Sequence, residues 1–305
     1  MKKVLITGAN GFLGTALCKE LLSRCDCIYV VVKEGTELSS AFLENSKINV
    51  IPCSMANYEK LPNLILERDF DVLYHLAWVG TAGPLRSDYK VQLENVKCAC
   101  DIVKVCKEIS CKRIVFSASI MEYEIQSVMD HGLEPGISTL YSTAKLTADY
   151  MMKTIAAKEG IEYIRAVISN IYGPGEISPR LVNTSLRKMI SGEHCSFSAG
   201  EQMYDFIYIT DAAISFAELG EKGLPNKTYY IGSQNPKPLK EFLIEMRDIV
   251  NPEIELGLGE IPFNGISLTY MEFDVNAVKR DTGFEPKISF SEGIKRTIDW
   301  LRSEG

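Results

Sequence analysis

The 305-residue chain is 46% hydrophobic and 24% charged, with a formal net charge of -7 and a sequence pI near 5.2. That is enough apolar chain for a full core, in one large α/β domain plus a smaller one. The acidic balance and the dispersed Lys and Arg argue against a sequence-independent grip on nucleic acid or on an anionic membrane.

No apolar run approaches the ~20 residues that cross a bilayer, and the opening run breaks at Thr7 and Gly8, too soon for a signal peptide. A cytoplasmic protein is expected. Nine cysteines form no CxxC pair and only three histidines exist, so no metal site is expected and the thiols read as free, mostly small core residues.

In chain order, VLITGANGFLG comes first, an apolar stretch running into Gly8, Gly11 and Gly14 and then into the helical pattern TALCKELLS. A strand, a glycine turn and a helix start make a socket for a dinucleotide pyrophosphate: glycines let backbone approach phosphate, and free helix N–H groups favour its charge. Any strand-to-helix turn also collects glycines for steric reasons, so the pattern needs support from the rest of the chain.

Short β-branched runs at residues 4–7, 27–32, 48–51, 71–75, 113–116 and 163–168 read as strands, separated by segments of helical period. The alternation predicts a Rossmann-type, doubly wound parallel sheet with a ligand across its C-terminal edge. After Asn170 the texture changes to IYGPGEISPR, followed by helices near residues 181–190, in NPKPLKEFLIEMRDIV and in SFSEGIKRTIDWLRS. The division expected is a dinucleotide-binding domain over residues 1–169, with 205–232 returning to it, and a smaller α/β substrate lobe from 170–204 and 233–305.

Tyr141 and Lys145 stand four residues apart in YSTAKLTADYMMKTIAAK, on one face of a predicted helix. An adjacent ammonium favours a phenolate, which brings a tyrosine toward a useful acid–base range. The same spacing also describes a solvated surface pair. Upstream, the strand RIVFSAS ends in Ser117 and Ser119, where side chains of an open α/β sheet meet ligand; turn capping is the other reading of such serines.

With TGANGFLG, YHLAW, Asn95, FSAS, YSTAK, SNIYGPG, DFIYITD, YYIGS and DTGFEPKISFSEGIKRTIDW in this order, the chain resembles an extended short-chain dehydrogenase/reductase of the NAD-dependent epimerase/dehydratase group. The resemblance covers essentially the whole length. It implies that Tyr141 is the acid–base residue, that Lys145 lowers its pKa and holds the nicotinamide ribose, that Ser119 polarises the substrate oxygen and that Asn95 steadies a proton relay. It also implies that Gly8, Gly11, Phe12, Leu13 and Gly14 hold the pyrophosphate, that Ala77 lies along the cofactor, and that the protein is a homodimer through the Asn95 and Tyr141 helices. Asn170 matches an asparagine that meets substrate in relatives, and loop capping is its other reading.

NAD-preferring relatives carry an acid at the end of the second strand. This chain has valine there and Lys33 next, which favours the 2′-phosphate of NADP over NAD, although Lys33-Glu34 also reads as a solvated turn. Ile120 and Met121 occupy the positions of the Asp-Glu pair of 4,6-dehydratases, and neither transfers a proton. Met121 also replaces the cysteine of epimerase-reductases that work beside a ketone. The remaining reading is hydride exchange on a nucleotide sugar, reduction of a 4-keto-6-deoxyhexose being favoured over NAD-retaining 4-epimerisation; a non-catalytic NADP-binding sensor or scaffold is the reading from another class.

Two arginines that contact diphosphate in many relatives are missing: Tyr204 stands at one position, and GISLTYMEFD offers none at the other. Arg180 and Arg187, seven apart, are the candidates to replace them, unless they are only exposed helix charges. Trp78, where the family has a small residue, is expected to narrow the substrate pocket unless it is a core side chain.

Overall fold

A computed structural model describes residues 1–36, 44–137, 139–270 and 273–303. Six strands, β1 (Lys3–Thr7), β2 (Cys27–Val32), β3 (Ile48–Pro52), β4 (Val72–His75), β5 (Arg113–Ser119) and β6 (Glu162–Ile168), form a parallel sheet in the order β3-β2-β1-β4-β5-β6. The strand Thr228–Ile231 adds a seventh, parallel position outside β6.

Both faces of this sheet are covered, which is why its strands are near-continuous apolar runs. In β1, Val4 and Ile6 enter one core while Leu5 enters the other. In β5, Val115 joins the first and Ile114 and Phe116 the second. The helices Phe12–Leu21 and Ile209–Lys222 pack together on the first face through Leu17, Leu21, Ala212 and Phe216. On the other face, Tyr89–Glu108 and Thr139–Glu159 pack together through Val96, Ala99, Ala148 and Met152.

The architecture is the expected Rossmann-type α/β sheet, and the differences are local. β5 extends beyond the apolar run 113–116 through all of RIVFSAS, because Ser117 and Ser119 still pair with Ala166 and Ile168 of β6. The sheet thereby carries both serines to its C-terminal edge. The seventh strand is only four residues long and is identified by its pairing with β6 rather than by an alternating pattern. In DFIYITD, Phe206–Tyr208 pairs in parallel with Asn170–Tyr172 in a separate two-stranded sheet before the chain enters the helix Ile209–Lys222.

The helices predicted after Asn170 lie at Leu181–Ser191, Leu239–Val250 and Phe290–Ser303. Among the described residues no helix is long and apolar enough to cross a membrane. All nine cysteines are free, eight of them buried.

Candidate active site

The order of strands reverses between β1 and β4, and a crevice opens at that point. Gly8 leaves β1 with a positive φ of 70°, and a Cβ there would lie 2.7 Å from the backbone nitrogen of Ala77. Gly11 is the N-cap of the helix Phe12–Leu21, its N–H donating to Gly8 O at 3.0 Å. Gly14 packs that helix onto the turn so closely that a Cβ would sit 2.1 Å from Gly8 O. Phe12 and Leu13 open the helix, so their N–H groups are among those left without partners inside it.

A cavity of about 770 Å³ runs from Gly8, Gly11, Phe12, Leu13 and Gly14 to Trp78, Ser119, Tyr141 and Lys145. Its rim is a turn whose Gly8 and Gly14 pack too closely on backbone to carry a Cβ, and its end is a helix N-terminus; these residues fit a dinucleotide. Ala77 contributes its main chain against Gly8, while Lys33 is exposed just beyond the end of β2 and is absent from the cavity wall.

A second cavity of about 370 Å³ is lined by Arg86, Ser119, Tyr141, Asn170, Arg180 and Tyr204, among others. Tyr141, Ser119 and Arg180 belong to both cavities, so the acid–base candidate stands in a shared wall.

Ser119 does two jobs there. Its Oγ accepts from Met121 N at 3.2 Å, and its own N–H donates to Glu122 Oε1 at 2.7 Å, a complete capping box. The backbone thus occupies one lone pair of the hydroxyl, whose proton is left to the Tyr141 side. Glu122 is buried and paired through its other oxygen to Arg165 Nη2 at 2.5 Å, and Arg165 in turn pairs with Asp149 at 3.0 Å. Glu122 therefore faces inward and braces Ser119.

Lys145 is buried and donates from Nζ to Ser117 O at 2.8 Å, with the ammonium 3.9 Å from the Trp78 ring centroid. Burial pulls its pKa down to about 7, against the attraction of Glu122 and Asp149. Burial pushes the Tyr141 phenol above its ordinary value, against Arg86, the Ser119 hydroxyl and Arg180, which pull it back. The Arg86 guanidinium carbon lies over the phenol ring, 4.1 Å from its centroid.

The remaining candidates separate. Asn95 is buried outside both cavities, its amide clamped to Val79: N–H of Val79 donates to Oδ1 at 3.0 Å and Nδ2 donates to Val79 O at 2.8 Å. It fixes the loop after β4, and with it Trp78, whose Nε1 donates to Gln92 at 3.0 Å. Trp78 meets Tyr141 edge to face and lines the larger cavity beside Ser119, Tyr141 and Lys145. Asn170 lines the smaller cavity and also caps by donating to Asp205 O at 3.0 Å. Arg187 points elsewhere, bonded to Asn183 and lying near Trp300.

Arg86 was not legible as a site residue, since TAGPLRS reads only as a glycine- and proline-marked loop. Glu122 had a signal, the S-x-x-E spacing from Ser119.

A profile of the NAD dependent epimerase/dehydratase family matches residues 4–232. The chain belongs to this family. As an extended short-chain dehydrogenase/reductase it is similar, at 23% identity over 98% of its length and 93% of the relative's, to a dTDP-glucose 4,6-dehydratase of Escherichia coli. It is 24% identical to an uncharacterized UDP-glucose epimerase, YtcB, of Bacillus subtilis, covering 99% and 98% of the two chains.

Among solved structures, the family fold is shared with UDP-glucose 4-epimerase with UDP-glucose from Thermotoga maritima, at TM-score 0.81 and 20% identity over 99% of each chain. It is also shared with the Bordetella bronchiseptica enzyme WbmF in complex with NAD+ and UDP, at TM-score 0.80 and 22% identity over 99% and 92%.

Proposed function

We propose that this family member is an NAD(P)-dependent oxidoreductase of a nucleotide-activated sugar, reducing the ketone of a 4-keto-6-deoxyhexose. The observation that carries the reading is the shared wall: Tyr141 and Ser119 face a dinucleotide-shaped cavity on one side and a smaller polar cavity on the other. A bound dinucleotide supplies or accepts the hydride. Tyr141 passes its proton to the substrate oxygen in reduction and takes it back in oxidation, while Ser119 donates a hydrogen bond to the same oxygen. Lys145 holds the nicotinamide ribose, and Gly8, Gly11, Phe12, Leu13 and Gly14 hold the pyrophosphate.

Ile120 and Met121 line the smaller cavity where dehydration would need an added acid and base, which supports simple hydride exchange. Arg180 is the guanidinium that meets the phosphate side of the substrate, since it faces both cavities and Arg187 faces neither. We assign residues 170–204 and 233–305 to a substrate lobe, and a homodimer to the paired helices that expose Tyr89, Leu93, Tyr150 and Met151; sedimentation at rising concentration tests the latter.

The second reading, a 4-epimerase, is favoured by the solved epimerases of the same fold. Denaturing fresh protein and identifying the released dinucleotide separates the two. Retained NAD with no net NADPH consumption on any nucleotide sugar supports epimerisation; release of no nucleotide, with NADPH oxidised on addition of a 4-keto sugar, supports reduction. Lys33 supports NADP, and Lys33→Asp is expected to reverse that preference toward NAD.

A further inference from the structure

We propose that Arg86 is a positioning residue for the acid–base step, the charge that holds the Tyr141 phenolate from the face of its ring. The proposal rests on the assignment of Tyr141 above and adds a partner that neither the Tyr-Lys spacing nor the serine supplies.

The geometry is specific. Arg86 lies in the turn Pro84–Ser87, and its guanidinium carbon is 4.1 Å from the Tyr141 ring centroid, inside the range of a strong cation–π contact. It is anchored by a bond from Nη1 to Thr81 O at 3.0 Å, and among the described residues it is in no ion pair. Its charge is therefore free to act on the ring it covers. A neutral phenol gains a modest cation–π attraction; a phenolate at the same distance gains a full opposite charge in a buried site, so the contact favours the ionised form.

Every other charged group around the phenol is already committed or distant from its face. On its own helix, Lys145 is bonded to Ser117 O and stacked on Trp78. Beyond β5, Glu122 is paired with Arg165. On the helix Tyr123–His131, Glu124 accepts from Ser142 Oγ at 2.6 Å. At the N-cap of Leu181–Ser191, Arg180 pairs with Glu176 at 3.5 Å. Tyr204 faces the same cavity without a charge at neutral pH.

Tyr141 and Lys145 are thus parts of a longer alternation, Arg86 over Tyr141, Tyr141 edge-on to Trp78, and Trp78 under Lys145. Two aromatic rings keep the Arg86 guanidinium apart from the Lys145 amine.

The test reads the phenol itself. Protein carrying ¹³Cζ-tyrosine is titrated by NMR, Tyr141→Phe identifying the Tyr141 resonance, in wild type, Arg86→Gln and Arg86→Lys. The ionisation midpoint is expected to rise by at least about one pH unit in Arg86→Gln and to return toward wild type in Arg86→Lys, which keeps the charge. Coincident midpoints in wild type and Arg86→Gln, or equal shifts in the Gln and Lys variants, overturn the proposal.

Turnover gives the second readout. The pH limb for alcohol oxidation moves upward with the midpoint, whereas a higher KM with the limb unmoved makes Arg86 a substrate anchor and overturns the proposal. The titration needs no substrate, so failure to turn over any nucleotide sugar refutes the functional reading without touching this result.

Discussion

Lys145 donates from Nζ to the carbonyl oxygen of Ser117 at 2.8 Å, tying the helix Thr139–Glu159 to the end of β5. Tyr141 and Ser119, proposed here to act on one substrate oxygen, thereby sit on two elements tied to each other. The bond places a cation where burial opposes it, and the ammonium pKa falls from its ordinary value near 10.5 to about 7.

That shift has a stability signature. Between about pH 7 and 10.5 the unfolded chain binds a proton at Lys145 that the folded chain does not, so this group's contribution to stability rises with pH through that window; below about pH 7 the cost of the buried charge is complete. Urea denaturation of wild type and Lys145→Met should show the difference shifting toward wild type from pH 7 to pH 10. A pH-independent difference would mean that Lys145 stays charged in the fold.

Gly14→Ala puts a methyl group 2.1 Å from Gly8 O, against backbone on both sides. The helix Phe12–Leu21 must lift off the turn, at a cost of about 1–3 kcal/mol or more. Chemical denaturation should show this loss, and calorimetric titration should show dinucleotide affinity falling with it. Unchanged binding would detach the glycine turn from the cofactor.

Arg165→Met leaves Glu122 and Asp149 buried without their common partner. The expected loss is about 3–5 kcal/mol, with part recovered when Glu122→Gln is added, because the remaining cost is that of an unpaired buried carboxylate. Denaturation midpoints of the single and double variants check this, and an additive double variant would show that the three groups act independently.

Much of the fold was legible because parallel strands covered on both faces write themselves as apolar runs, as Val4 to Ile6 and Ile114 to Phe116 do. The glycine turn was legible for a steric reason, since Gly8 and Gly14 stand where no Cβ fits. Spacing along one helix paired Tyr141 with Lys145, yet it could not show that the ammonium turns to Ser117 O and Trp78. Nor could it show Arg86, because the turn Pro84–Ser87 reaches Tyr141 through tertiary packing, 55 positions away in sequence. Arg180 and Arg187 share a helical spacing, but one begins the helix at the cavity and the other bonds back to Asn183.

The central claim is that the Tyr141 hydroxyl moves the proton while hydride is exchanged with a nucleotide sugar. Its most direct test is the steady-state rate of NADPH loss on a nucleoside-diphospho-4-keto-6-deoxyhexose, wild type against Tyr141→Phe, with dinucleotide affinity measured in parallel. Removal of the hydroxyl should lower kcat by about 10²- to 10⁴-fold while affinity for the dinucleotide stays nearly unchanged. Equal rates in the two proteins would contradict the account.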